Sequence, residues 1–156
     1  MPRFSIPTLD YLCSYQATLA PPEVIGPVAE GIRVNFYVTD GQLEGPRMKG
    51  RLRPVGGDWL TIRPDGVGVL DVRATIELDD GAVIDVAYRG LGDLGPDGYG
   101  SFLRGEMPPT LALRTSPVLR TAHPAHEWLQ RELLLAVGEA EFATLTVRYD
   151  VYVVRR

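Results

Sequence analysis

From Gly56 to Gly90 the chain reads GGDWLTIRPDGVGVLDVRATIELDDGAVIDVAYRG, and no other stretch limits the fold as tightly. Pro64-Asp65-Gly66 and Asp79-Asp80-Gly81 each suit a type I turn closed by a left-handed glycine, a common three-residue hairpin loop. Two such loops make three antiparallel strands and fix which residues lie opposite one another. Leu60 falls opposite Leu70, Trp59 opposite Asp71 and Asp58 opposite Val72. Across the second loop Ile76 meets Ile84, Ala74 meets Val86 and Val72 meets Tyr88. One face then carries Leu60, Ile62, Leu70, Val72, Ala74, Ile76, Leu78, Ile84 and Val86, with Asp58 and Tyr88 at its far end. The other carries Trp59, Thr61, Arg63, Asp71, Arg73, Thr75, Glu77, Asp85 and Arg89. This alternation predicts a sheet buried on one face. A one-residue slip in the second loop would mix Glu77, Thr75 and Arg73 with Ile84, Val86 and Tyr88, which excludes that register.

Elsewhere the period of two recurs. Tyr11, Cys13, Tyr15, Ala17 and Leu19 alternate with Leu12, Ser14, Gln16 and Thr18 until Ala20-Pro21-Pro22. Ile32, Val34, Phe36 and Val38 form a second series, closed by Asp40-Gly41, and Gly45 to Gly50 leads with a bend into a third. Residues 91–99 read as a loop that could form a rim or lid, followed by short strands near Tyr99–Arg104 and Leu111–Val118. Pro124 to Val137 reads as the one helix, with proline in its first turn and Gly138 as its C-cap. A final strand runs from Phe142 to Val154. Eight or nine short antiparallel strands with one late helix predict an all-β, closed up-and-down barrel, which removes sheet edges. A two-sheet sandwich is the alternative.

The chain has 156 residues, 45% hydrophobic and 23% charged, which fits one domain spanning 1–156 after an irregular lead-in over residues 1–9. A net charge of −4 offers no basic footprint for nucleic acid or an anionic membrane. Cys13 is the only cysteine, so neither a disulfide framework nor a cysteine metal site is expected. The opening MPRFSIPTLDYL lacks the apolar core of a secretory signal, and the longest apolar run, Leu133 to Val137, is far too short to span a bilayer. The expected location is cytoplasmic.

The pieces Gly45-Pro46-Arg47, Gly57-Asp58-Trp59, Arg63-Pro64-Asp65-Gly66, Leu70-Asp71 with Arg73, Asp79-Asp80-Gly81-Ala82, Arg114-Thr115 with Pro117, and Trp128-Leu129 together resemble the domain-of-unknown-function 3237 family of small bacterial and fungal proteins. The resemblance covers about Tyr11 to Val154. It implies a compact antiparallel barrel, similar in shape to lipocalin-like and allene-oxide-cyclase-like barrels, and brings no agreed activity. Gln130 stands where the family more often has asparagine, and Tyr88 where a smaller polar residue is usual.

Asp58 is the first candidate for chemistry. A carboxylate facing an apolar interior has its pKa raised by desolvation, which suits an acid or base near neutral pH. The plainer reading is a cap that accepts backbone N–H bonds near Gly56-Gly57. Tyr88, two strands away and thus about 10 Å along the wall, could donate to a ligand carbonyl or enolate, or simply be a core ring. Trp59, Arg73, Arg114 and Trp128 complete the candidate ligand-binding set. For Trp59 and Arg73 the alternative is an outer face held by cross-strand pairs, Asp71 with Arg89 and Arg73 with Asp85. His123 and His126 form H-x-x-H, but without a third ligand this is weak evidence for metal. The expectation is therefore no cofactor and no metal, a small organic ligand as partner, and compatibility with a homo-oligomer. The function that fits is a cofactor-independent isomerase, cyclase or lyase acting on a small apolar or polyketide-like carbonyl compound. A non-catalytic carrier of such a ligand is the alternative.

Overall fold

The computed structural model describes residues 1–156. Ten strands carry the chain: β1 (Thr8–Leu19), β2 (Glu23–Val28), β3 (Gly31–Glu44), β4 (Lys49–Leu52), β5 (Gly57–Ile62), β6 (Val67–Leu78), β7 (Val83–Asp93), β8 (Thr110–Arg120), β9 (Leu134–Glu141) and β10 (Thr146–Arg155). A short helix, α1 (Gly98–Leu103), and a 3-10 turn at Glu127–Arg131 are the helical elements. Strands β6 to β10 form a meander; β10 pairs with β1, β1 with β3, and β3 returns to β6 through β4 and β5. The result is a closed antiparallel barrel of eight staves. β4 and β5 share one stave, interrupted by residues 53–56, and β2 is an extra strand on β3.

Both hairpins hold the register their loops dictate: Asp58 faces Val72, and Val72 faces Tyr88. Gly66 and Gly81 adopt φ of +88° and +90°, and each loop closes with a glycine N–H donating to the residue three back, Arg63 and Leu78, at 2.9 Å. The apolar face identified above supplies much of the core, with Ile62 and Ile84 fully buried.

Several boundaries differ from expectation, the first being that β1 begins at Thr8, within the expected lead-in. The helix expected over Pro124–Val137 is only the 3-10 turn, and Leu134–Glu141 is a strand paired with both β8 and β10. Leu134 and Ala136 are buried while Leu133, Leu135 and Val137 are exposed, so the leucine run follows a period of two. A helix here would leave two open strand edges; the strand satisfies both. Of the segment Tyr99–Arg104, expected as a strand, Tyr99–Leu103 lies in α1 with Arg104 as its C-cap, and β7 continues to Asp93. Asp40-Gly41 does not end its strand: β3 runs through, turning from β2 and β5 towards β4 and β1. Gly41 suits that crossing because a Cβ there would stand 2.7 Å from the Gln16 carbonyl oxygen. Finally, Phe142 to Leu145 form the β9–β10 turn, with Leu145 at φ +53°. In β1 a bulge between Tyr11 and Cys13 buries both Leu12 and Cys13 and leaves Tyr11 outside against Tyr152.

The two ends of the barrel are closed differently. At one end residues 121–133 cross the opening, with Leu129 only 1% exposed and Arg47 of the β3–β4 turn stacked 4.0 Å over the Trp128 ring. Gln130 holds this crossing together by donating to the Thr121 carbonyl at 2.8 Å. At the other end Leu94, Phe102 and Met107, from the β7–β8 connection, meet Phe142 and Leu145. No helix is long and apolar enough to cross a membrane.

The two hairpin glycines test this arrangement. A methyl at Gly81 meets nothing within 4 Å, whereas one at Gly66 overlaps the Gly95 carbonyl oxygen. In urea melts, Gly81→Ala is expected to cost about 1–2 kcal/mol, the price of a left-handed alanine. Gly66→Ala is expected to cost about 1–3 kcal/mol more, because the β7–β8 connection must shift.

Candidate functional site

Inside the barrel lies a cavity of about 100 Å³, walled almost entirely by aliphatic and aromatic side chains. The inward alternation of β3, β5, β6, β7 and β10 supplies Phe36, Asp58, Val72, Tyr88 and Tyr149, and β1 adds Tyr15. Gly138 makes room for this cluster, since a Cβ there would overlap the Tyr149 ring. Asp58 and Glu141 are its carboxylates. Glu141 sits at the mouth and is paired with Arg148 at 3.4 Å.

Asp58 has no cationic partner within bonding distance. Its Oδ1 accepts the backbone N–H of Asp71 at 2.9 Å, so it both caps a backbone group and faces the cavity. The bond reaches the neighbouring strand rather than the Gly56-Gly57 turn. Burial dominates its acidity and raises the pKa from an ordinary 3.8 to about 7. The Asp71 N–H and the more distant Arg33 charge lower it, and the Asp71 charge raises it. Arg33 is held in place by donating to the Trp59 carbonyl at 2.7 Å.

Tyr88 is buried and accepts a hydrogen bond from the Tyr15 hydroxyl at 2.6 Å. The Tyr88 hydroxyl is also within hydrogen-bonding reach of the Tyr149 hydroxyl. Tyr149 stacks on Tyr15 with ring centres 5.0 Å apart, and meets the Tyr88 ring edge-on at 5.8 Å. Burial pushes the pKa of all three phenols well above 10, and Asp58 adds to the effect on each. They are neutral hydrogen-bonding groups near pH 7, whereas Asp58 changes protonation there.

The candidate residues therefore separate. Asp58 and Tyr88 line the cavity; Trp59, Arg73, Arg114 and Trp128 do not. Trp59 lies on the outer face against Tyr37, with ring centres 6.2 Å apart. Arg73 and Arg114 are exposed, and Trp128 packs at the closed end. The cross-strand pair Asp71–Arg89 forms at 3.6 Å. Asp85 pairs with Arg120 of β8 at 3.7 Å instead of with Arg73. Sequence reasoning missed Tyr15 and Tyr149. Tyr15 stands in an alternating series and Tyr149 in the final strand, but the pairing of β1 with β10 that sets them face to face, Tyr15 opposite Tyr149, joins the two termini and leaves no local mark.

The shifted acid predicts an unusual pH dependence. In the unfolded chain Asp58 loses its proton near 3.8, in the barrel near 7. Between those values only the folded state holds the proton, so stability falls as pH rises from about 4 to about 7, and the penalty is complete above that. The expected loss is on the order of 2–4 kcal/mol. Urea midpoints measured across pH 4–8 are expected to show this slope in the parent chain and to lose it in Asp58→Asn, which keeps the acceptor for the Asp71 N–H.

The family model described as protein of unknown function (DUF3237) matches residues 7–154. UPF0311 protein RPA1785 of Rhodopseudomonas palustris is 31% identical over 151 residues, covering 94% of this chain and 97% of that one. Its crystal structure superposes with a TM-score of 0.85 at 26% identity, covering 97% and 99% of the two chains. A β-barrel like protein from Acinetobacter baumannii gives 0.80 at 26% identity, covering 99% and 100%. An enzyme from Penicillium herquei gives 0.68 at 20% identity over 99% of each chain, a likeness of fold alone. The chain belongs to the DUF3237 family.

Proposed function

We propose that this barrel is a cofactor-independent acid–base enzyme of the isomerase, cyclase or lyase class, acting on a small apolar carbonyl compound. One observation carries the reading: a carboxyl group with a pKa of about 7, Asp58, faces a largely apolar cavity that also presents a buried phenol. A proton-transfer residue works best when its pKa lies near the working pH. Asp58, ionised, takes a proton from the carbon next to the substrate carbonyl. Tyr88 turns its hydroxyl from Tyr149 and donates a hydrogen bond to the oxygen as charge builds there, keeping its own proton, while Tyr15 braces Tyr88 from the other side. Asp58, now protonated, returns the proton at a different carbon, or gives it to the oxygen of an electrophile in the same molecule on which the enolate closes, or to a leaving group that the enolate expels. Each route balances without an external electron carrier. The cavity is somewhat smaller than the ~150 Å³ apolar cavities that admit benzene, so the reacting part of the substrate is a single small ring or short chain. Anything larger requires the Leu94–Met107 segment to shift.

The test is exchange of α-protons for deuterium, followed by NMR in heavy water over a panel of small cyclic ketones and aryl ketones, with binding measured alongside. Asp58→Asn is expected to retain binding and lose about 10²–10⁴-fold in exchange rate. Tyr88→Phe is expected to lose about 10²–10³-fold, and the parent rate is expected to rise with pH through about 7. Ligands that bind without exchange, or exchange that survives in Asp58→Asn, overturn the catalytic reading; the first outcome favours a carrier.

A further inference from the structure

His123-Pro124-Ala125-His126 takes no part in the cavity, and folding supplies what the sequence lacked, a third ligand from a distant element. Asp80 belongs to the β6–β7 loop, yet one ligating atom each from Asp80, His123 and His126 come within 4.8 Å of one another. The imidazole rings are 5.4 Å apart and tilted by 39°. His126 is 6% exposed, and its Nε2 meets Oδ2 of Asp80. Oδ1 of Asp80 accepts the Ala82 N–H at 3.0 Å, so the turn itself aims the other oxygen into the cluster. The histidine side is fixed as well. Thr121 Oγ1 donates to the Val83 carbonyl at 2.8 Å and accepts the His123 N–H at 3.2 Å. This cluster lies at the closed end of the barrel, away from the cavity mouth.

We propose that Asp80, His123 and His126 form a site for a zinc-class divalent ion, which ties the β6–β7 loop to the segment closing the barrel. Two imidazoles and one carboxylate are a donor set for borderline transition ions, not for calcium or magnesium, with a fourth position left to water. Ligand distances of about 2.0–2.2 Å put tetrahedral donor atoms about 3.3–3.6 Å apart, so the widest pair closes by no more than about 1.5 Å while Asp80 and His126 separate by about 1 Å. His123 must give up one contact, the Ala125 N–H on its Nδ1 at 3.2 Å. Coordination through either ring nitrogen removes it, because the other nitrogen then carries the proton.

The experiment uses the full chain without a polyhistidine tag, stripped by a chelator and titrated with Zn²⁺ by calorimetry and with Co²⁺ by visible absorption. One ion per chain is expected, with the absorption of four-coordinate cobalt and a rise in Tm. His123→Ala keeps the Asp80–His126 contact and is expected to lose more affinity than the roughly 10–100-fold that an outer-shell partner costs; its Tm no longer responds to zinc. His123→Gln serves if the alanine variant does not fold. Failure of the parent to bind stoichiometric zinc or cobalt overturns the proposal, as does unchanged affinity in the folded variant. The Asp80–His126 contact is then a loop closure only.

Discussion

β1 is hydrogen-bonded along both edges, to β10 over Thr8–Thr18 and to β3 over Ser14–Leu19, and everything else rests on that double pairing. A meander alone would be an open curved sheet with its apolar face half in water. Closure turns the same face into an interior, and only an interior can withhold solvent from Asp58. The pairing also brings Tyr15 of β1 across from Tyr149 of β10, so the act of closing the ring builds the aromatic half of the cavity. Fold and candidate site are two readings of one set of hydrogen bonds.

A lone carboxyl among aliphatic side chains is a burden on folding, because its charged form loses hydration without gaining a counter-ion. The molecule tolerates it through one backbone N–H, from Asp71, and by keeping the proton over most of the acid range. The surface carboxylates behave oppositely: Asp65 and Glu77 are held below their ordinary values by Arg63 and by Arg53 and Arg51. Within one chain, exposure with a partner and burial without one push the same functional group in opposite directions.

The central hairpins were legible because both determinants are local: a glycine at the right place in a three-residue loop, and an unbroken alternation on either side. The inward position of Asp58 followed from that register. What local pattern could not fix was the Leu133–Val137 run, whose apolar residues fit a helical turn as readily as a strand; only the two neighbouring strands decide between them. The motif residues Trp59 and Arg73 were equally ambiguous. Their recurrence in a family-like pattern suggested contact with a ligand, but their parity in the register places them outside. Parity was the stronger guide because it is a steric property of the pleat. His123 and His126 lacked meaning until a turn more than forty positions away came beside them.

β2 is the one strand outside the ring, and its far edge faces solvent with Val24, Ile25 and Val28 exposed. Left plain, such a margin would invite another chain to add itself. Pro27 has no N–H to offer a newcomer, Gly26 takes a left-handed φ of +105°, and the pairing slips between Val24 and Gly26. These irregularities spoil the flat, evenly spaced template that fibrillar stacking needs, so a barrel with an unfinished border can stay dispersed in a crowded solution.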